Sequence, residues 1–157
     1  MSKVVESGAK WKMFFGTYEH NLDEKGRLVI PSKLREQLSP VCYLMKGYDG
    51  TLAIFKASDF EKIVERCMSM DLDSLNQRNY LRSQLPTAVQ MEIDKQGRLQ
   101  IPTILINKYH LEKELVILGM GDRLEIWNKK AYINYENESL NDFGAIAEQV
   151  GKEKKNG

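Results

Sequence analysis

The sequence predicts an α+β chain made of two tandem copies of one small β unit, joined as an intrachain pseudo-dimer with flanking helices. Three observations predict it. First, DEKGRLVIP at Asp23–Pro31 returns as DKQGRLQIP at Asp94–Pro102, with six of nine positions identical. Second, LMKGYDGTLAIF (Leu44–Phe55) aligns with VILGMGDRLEIW (Val116–Trp127), so the repeat extends beyond the motif. The offset is 71 residues from Arg27 to Arg98 and 72 from Phe55 to Trp127, which means that one residue was gained or lost between. Such self-similarity marks two copies of one structural unit. Third, a repeat of about 50–60 residues lies near the lower limit at which a domain buries enough surface to fold alone. The halves are therefore expected to share one core.

Phe14–Leu22, rich in aromatics and Thr, reads as a strand. Asp23–Gly26 reads as a turn, since Asp bonds its own backbone and Gly tolerates positive φ. Arg27–Ile30 is a second short strand. Pro31 suits the first turn of a helix over Ser32–Leu38, which stops before Pro40 because the residue ahead of a proline resists the α region. Val41–Lys46 and Thr51–Lys56 are strands around a turn at Gly47–Gly50. Ser58-Asp59-Phe60-Glu61 has the form of a capping box, and Phe60, Ile63, Val64, Cys67 and Met68 then fall on one helical face. A further helix runs from Asp73 or Ser74 to Leu85 and ends at Pro86. The second repeat gives strands Ala88–Ile93 and Arg98–Ile101, a helix Thr103–Tyr109, and strands Leu115–Gly119 and Arg123–Trp127. A last helical stretch, Lys129–Val150, breaks around Asn137–Ser139, and its end aligns Leu140, Phe143, Ala147 and Val150. The strands on either side of each Asp–Gly turn are too short to bury a core separately, so they must pair between repeats.

Composition bounds the chemistry. At 157 residues and a formal net charge of +1, the chain has no bulk basic field, so any nucleic-acid site must be a local cluster. The two cysteines, Cys42 and Cys67, form neither a metal spacing nor a disulfide framework and read as reduced thiols. No apolar run approaches the ~20 residues of a membrane span, so no membrane partner is expected. Residues 1–12 hold no signal-peptide stretch and read as an extension ahead of a native start at Met13, or as an added segment. Residues 151–157 (GKEKKNG) read as a disordered tail.

The motif carries the chemistry. Asp23 and Arg27, like Asp94 and Arg98, are four residues apart around a glycine, so carboxylate and guanidinium can meet. The plain role for each Asp is to orient its turn and brace the Arg. A braced guanidinium presents a planar donor fork suited to phosphates and to the guanine edge. Gly26 and Gly97 let the backbone approach a surface closely. Lys25, Lys33 and Arg35 add charge near the first copy, and Lys95 and Lys108 near the second. His20 and His110 occupy different repeat positions with no metal or triad spacing, so no enzyme, metal or cofactor is expected. Asp71 and Asp73 read as caps or solvated surface, and Phe14, Phe55, Trp127 and Tyr132 as core.

These two segments, in the pattern D-x-x-G-R-L-x-I-P, resemble the motif of the SpoVT-AbrB (AbrB-like) swapped-hairpin DNA-binding family. The duplicated motif places the chain beside members that carry two copies, and the likeness covers about residues 13–150. It implies AbrB-like domains at residues 13–56 and 86–129, a helical connector at 57–85 and C-terminal helices at 130–150. It further implies a bacterial, cytoplasmic, nucleoid-associated transcriptional regulator, generally a repressor of the division and cell wall gene cluster that its own gene opens. The partners implied are double-stranded DNA, as short direct repeats upstream of that cluster, and further copies of the chain in a ring. By the motif, Arg27 and Lys25 contact DNA most heavily, then Arg98 and Lys95, with Lys33 and Arg35 nearby; Asp23, Gly26, Asp94 and Gly97 orient the loops. The lysine before the first glycine becomes Gln96 in the second copy, where Lys95 stands one residue earlier, so the halves are not equal. The rival expectation is a protein-interaction module, antitoxin-like or a ring scaffold. Antitoxins of this kind usually pair one motif with a disordered toxin-binding tail.

Overall fold

The computed structural model describes residues 13–156; the expectation for residues 1–12 lies outside them. The first half runs β1 (Thr17–Asn21), β2 (Arg27–Val29), α1 (Ser32–Leu38), β3 (Cys42–Lys46), β4 (Leu52–Lys56), α2 (Ala57–Met68) and α3 (Leu75–Gln84). A 3₁₀ turn at Leu85–Thr87 leads into the second half: β5 (Val89–Met91), β6 (Arg98–Gln100), α4 (Thr103–Lys108), β7 (Glu114–Gly119), β8 (Leu124–Asn128), α5 (Lys129–Ser139) and α6 (Phe143–Asn156).

The short strands do pair between repeats. β1 pairs with β7, β5 with β3, β4 with β8 and β2 with β6, all antiparallel. Among the named strands, the hairpins β3–β4 and β7–β8 pair within a repeat, and an isolated bridge joins Leu22 to Leu28 in the first. The result is a six-stranded sheet, β1-β7-β8-β4-β3-β5, and a separate two-stranded ribbon, β2-β6. The register shows a pseudo-two-fold axis. Ala53 lies opposite Glu125, and Leu28 opposite Leu99. Each pair occupies one and the same repeat position, at offsets of 72 and 71.

One core serves both halves, as the size argument requires. Leu28, Ile30 and Leu34 from the first half and Leu99, Ile101 and Leu105 from the second join Leu44, Ile54, Leu115, Ile117 and Ile126 in one buried cluster. Three-residue strands expose too little apolar surface to hold alone; interleaved on the axis, Leu28 and Leu99 become fully buried. The other sheet face carries a smaller cluster of Met45, Ala53, Phe55, Ile63 and Cys67, against which Phe60 of α2 and Leu81 of α3 pack.

Five expectations change. The capping box fails: β4 runs directly into α2, the N-cap is Lys56, and no side chain caps it. Asp59 instead bonds Lys56 at 2.7 Å, both side chains about nine-tenths covered, its charge facing the positive end of the helix. The side-chain caps are Ser74 on α3, Asn128 on α5 and Asp142 on α6, accepting backbone N–H groups at 3.2, 3.2 and 3.0 Å. Met68 leaves the expected α2 face and is exposed. Pro31 and Pro102 each sit at the N-cap rather than inside the first turn. Finally, the C-terminal break falls at Leu140–Asp142, and residues 151–156 continue α6 as helix rather than a disordered tail. Lys154 and Lys155 in its last turn complement the partial negative charge there. Among the described residues, no helix is long and apolar enough to cross a membrane.

Candidate nucleic-acid interface

Both motif loops are built around the same aspartate hydrogen bonds. Asp23 Oδ1 accepts the backbone N–H of Lys25 at 2.9 Å and of Arg27 at 2.8 Å, while Asp23 Oδ2 accepts Arg27 Nε at 2.8 Å. Asp94 repeats this with the N–H groups of Gln96 (2.9 Å) and Arg98 (2.8 Å) and with Arg98 Nε (2.8 Å). Backbone bonds close each turn: Gly26 N–H donates to Asp23 O and Gly97 N–H to Asp94 O. Gly26 at φ +77° and Gly97 at φ +79° occupy the left-handed region, which the turn requires. The backbone N–H of Arg27 is the largest cause holding the Asp23 carboxyl below the usual carboxylate range, and the N–H of Arg98 does the same for Asp94. Both carboxylates thus spend their oxygens on their own loops. With Nε tied down, Arg27 keeps both terminal nitrogens to offer a ligand, whereas Arg98 Nη2 also donates to Gln96 Oε1 at 3.4 Å.

The ribbon presents these groups together. Strand alternation buries Leu28 and Leu99 and turns Arg27, Val29, Arg98 and Gln100 to the opposite face. Arg27 pairs with Gln100 and Val29 with Arg98, so the loops sit at opposite ends of the ribbon. Two residues of strand put the two arginines about 7 Å apart along it. Each loop is also tied to the other half: Ile101 N–H donates to Gly26 O and Ile30 N–H to Gly97 O, both at 2.9 Å. Lys25 and Lys95 are exposed on the loops, and Lys33 is exposed on α1.

Arg35, expected near the DNA, also has a partner within the chain. It is half-buried, donates Nε to Ile30 O at 2.7 Å, and lays its guanidinium across Gly97, where any Cβ would collide with it. Its first role is to brace the second loop from the first half. Lys108 folds over the Tyr109 ring at 5.8 Å. Sequence reasoning missed Gln100, whose amide donates to Lys25 O at 2.6 Å, and Ile106, whose side chain covers Gly26. The repeat offset shows the correspondence but not the contact. At the motif offset Ile106 is the counterpart of Arg35, and each covers the glycine of the opposite loop.

Comparison with known proteins bears on this duplicated site. The family model described as "MraZ protein, putative antitoxin-like" matches the chain twice, over residues 13–83 and 85–152. The chain belongs to the MraZ family. It is 41% identical over 139 residues to the transcriptional regulator MraZ of Mesoplasma florum, covering 88% of this chain and 95% of that protein. It is 40% identical to the transcriptional regulator MraZ of Mycoplasma mycoides subsp. mycoides SC, covering 85% of this chain and all of that protein. With the same regulator of Clostridium acetobutylicum it shares 38%, over 89% of this chain and 98% of that protein. The two MraZ matches meet at residues 83–85, the end of α3, and each contains one of the matched loops. Within this MraZ chain the halves differ in charge. Glu24, Lys25, Lys33 and Arg35 of the first half face Lys95, Gln96, Ile104 and Ile106 at the same positions of the second.

Proposed function

We propose that the chain is a sequence-specific DNA-binding transcriptional regulator whose two motif loops form one reading surface. A single observation carries this reading: two arginines, each held by an aspartate through the same two hydrogen bonds, from its backbone N–H and its Nε, sit on the outward face of one ribbon with lysines beside them. Fixing each guanidinium beforehand reduces the ordering that binding must impose. Arg27 and Lys25 are the principal contacts, followed by Arg98 and Lys95, with Lys33 alongside. The exchange of strands between halves corresponds to two AbrB-like swapped-hairpin units fused in one chain. Its target is a set of short direct repeats upstream of its own gene, in the division and cell wall cluster, and its action there is repression in the cytoplasm, at the nucleoid.

One such surface makes few phosphate contacts, so its affinity for a single box is weak and falls steeply with salt. Several copies in one assembly, a ring, engage several boxes at once, and effective concentration raises the overall affinity. The test is titration of the DNA upstream of its gene, and of a scrambled control, at rising salt. Preferential binding to the repeats, weakened by salt, is expected; equal affinity for both DNAs contradicts the reading.

A further inference from the structure

The ribbon that carries the two arginines breaks its own symmetry at one position. Its outward face consists of Arg27, Val29, Arg98 and Gln100. At the motif offset of 71 residues Arg27 corresponds to Arg98, and Val29 to Gln100. The arginines match. Val29 and Gln100 do not, since one ends in methyl groups and the other in an amide.

The Gln100 amide is held in place. It stands directly across the ribbon from Arg27. Its Nε2 donates to Lys25 O at 2.6 Å and lies against Gly26, 3.3 Å from where a Cβ would stand. A carbonyl oxygen only accepts, so the NH2 end of the amide is the end that faces Lys25, and the place of Oε1 is fixed with it. Oε1 makes no hydrogen bond among the described residues, and Nε2 keeps a second N–H. On the second loop, by contrast, Gln96 Oε1 already accepts Arg98 Nη2 at 3.4 Å.

A free acceptor has no partner in a phosphate backbone. Phosphate oxygens accept and do not donate, and so they suit Arg27, Arg98, Lys25 and Lys95 but not Gln100 Oε1. Its partner in DNA is a donor on a base edge. The major groove admits a two-stranded β-ribbon, and the donors exposed there are the exocyclic amines of adenine and cytosine. Gln100 offers an acceptor and a spare N–H side by side, which complements N6 and N7 of adenine. Guanine and thymine present an oxygen at that place, and an acceptor left unpaired in a dehydrated contact is costly. Glu24, exposed on the first loop, is a further acceptor, but it lies off the ribbon face and its charge repels phosphate.

We propose that Gln100 is a specificity-determining residue that selects an adenine in the major groove beside Arg27. Val29 leaves the symmetry-related base position without a polar requirement. The pseudo-two-fold chain thereby tells one end of its target from the other. The inference rests on the DNA-binding reading above and names a residue that gives that binding its sequence preference.

The experiment is competition binding of the full chain, at low salt, to duplexes that carry one repeat from upstream of its gene with each base pair replaced in turn. The wild type is expected to lose affinity about tenfold when one A·T pair becomes G·C. It should lose as much when that adenine is replaced by purine, which lacks the N6 amino group. Q100V gives the second strand the residue that the first already carries. In Q100V both losses should vanish while the penalties at other positions remain. Q100K keeps a donor for Lys25 O but has no acceptor, and it should lose the same preference; circular dichroism melts show that each variant is folded. An even loss of affinity over all duplexes in both variants would mean that Gln100 only steadies the first loop, and this overturns the proposal. A wild-type profile without a discriminated adenine, or variant profiles equal to the wild type, overturns it too and leaves the regulator reading standing. A wild type that binds the repeat and a scrambled duplex alike defeats the regulator reading itself.

Discussion

Gly97 shows how tightly single residues are committed in this site. Its positive φ and the Arg35 guanidinium over its α-carbon leave no place for a side chain. Gly97→Ala should lower stability by about 1–3 kcal/mol from backbone strain, read in a denaturant melt. Gly26→Ala carries the same strain, but its Cβ would meet the flexible tip of Ile106 at 2.9 Å, so the milder effect is expected there. Asp23 and Asp94 titrate below the ordinary aspartate range because backbone and side-chain donors hold their charged forms. The sign follows. Bracing is fully present above the ordinary Asp pKa and is lost as pH falls through the depressed value. Carboxyl NMR should therefore give midpoints below that of an unfolded aspartate for both; ordinary midpoints would mean that the braces do not hold in solution. Burial pushes the Cys42 thiol up to about 12, so it should stay unreactive toward a thiol reagent at pH 8 until the chain unfolds.

The β2–β6 ribbon has three residues per strand and persists because Leu28 and Leu99 lock it to the shared core. Leu28→Ala or Leu99→Ala should each cost about 2–5 kcal/mol. Either change should shift one common unfolding transition, since the core belongs to both halves; two separate transitions would contradict the shared core. The pairing of strands between repeats was legible in the sequence, because strands that short can only be buried by partners outside their own repeat. The loop residues were legible too, because Asp, Gly and Arg recur at fixed spacing. What was not legible depended on tertiary geometry. The S-x-x-E pattern at Ser58 promised a cap, but β4 runs into α2 without a break and leaves that serine inside the helix. Arg35 read as added charge near the first loop because that charge is visible in sequence, whereas its approach to Gly97 depends on the fold. The helical end at residues 151–156 was hidden by glycine and a run of lysines that read as solvated chain.

At the scale of the whole molecule, two halves related by a pseudo-two-fold axis present two similar, unequal loops. Loop one carries Glu24 and Lys25, and loop two Lys95 and Gln96. DNA bound across the ribbon would meet different charge at its two ends, so the two loops should contribute unequally. The most direct test of the central claim is DNA affinity against salt for the wild type, Arg27→Ala and Arg98→Ala, with assembly mass monitored in parallel. Arg27→Ala should reduce affinity most and flatten the salt dependence by about one phosphate contact per engaged unit. Arg98→Ala should do the same more weakly, and both should leave the mass unchanged. If both variants bind DNA like the wild type, the loops are not the reading surface and the account is wrong.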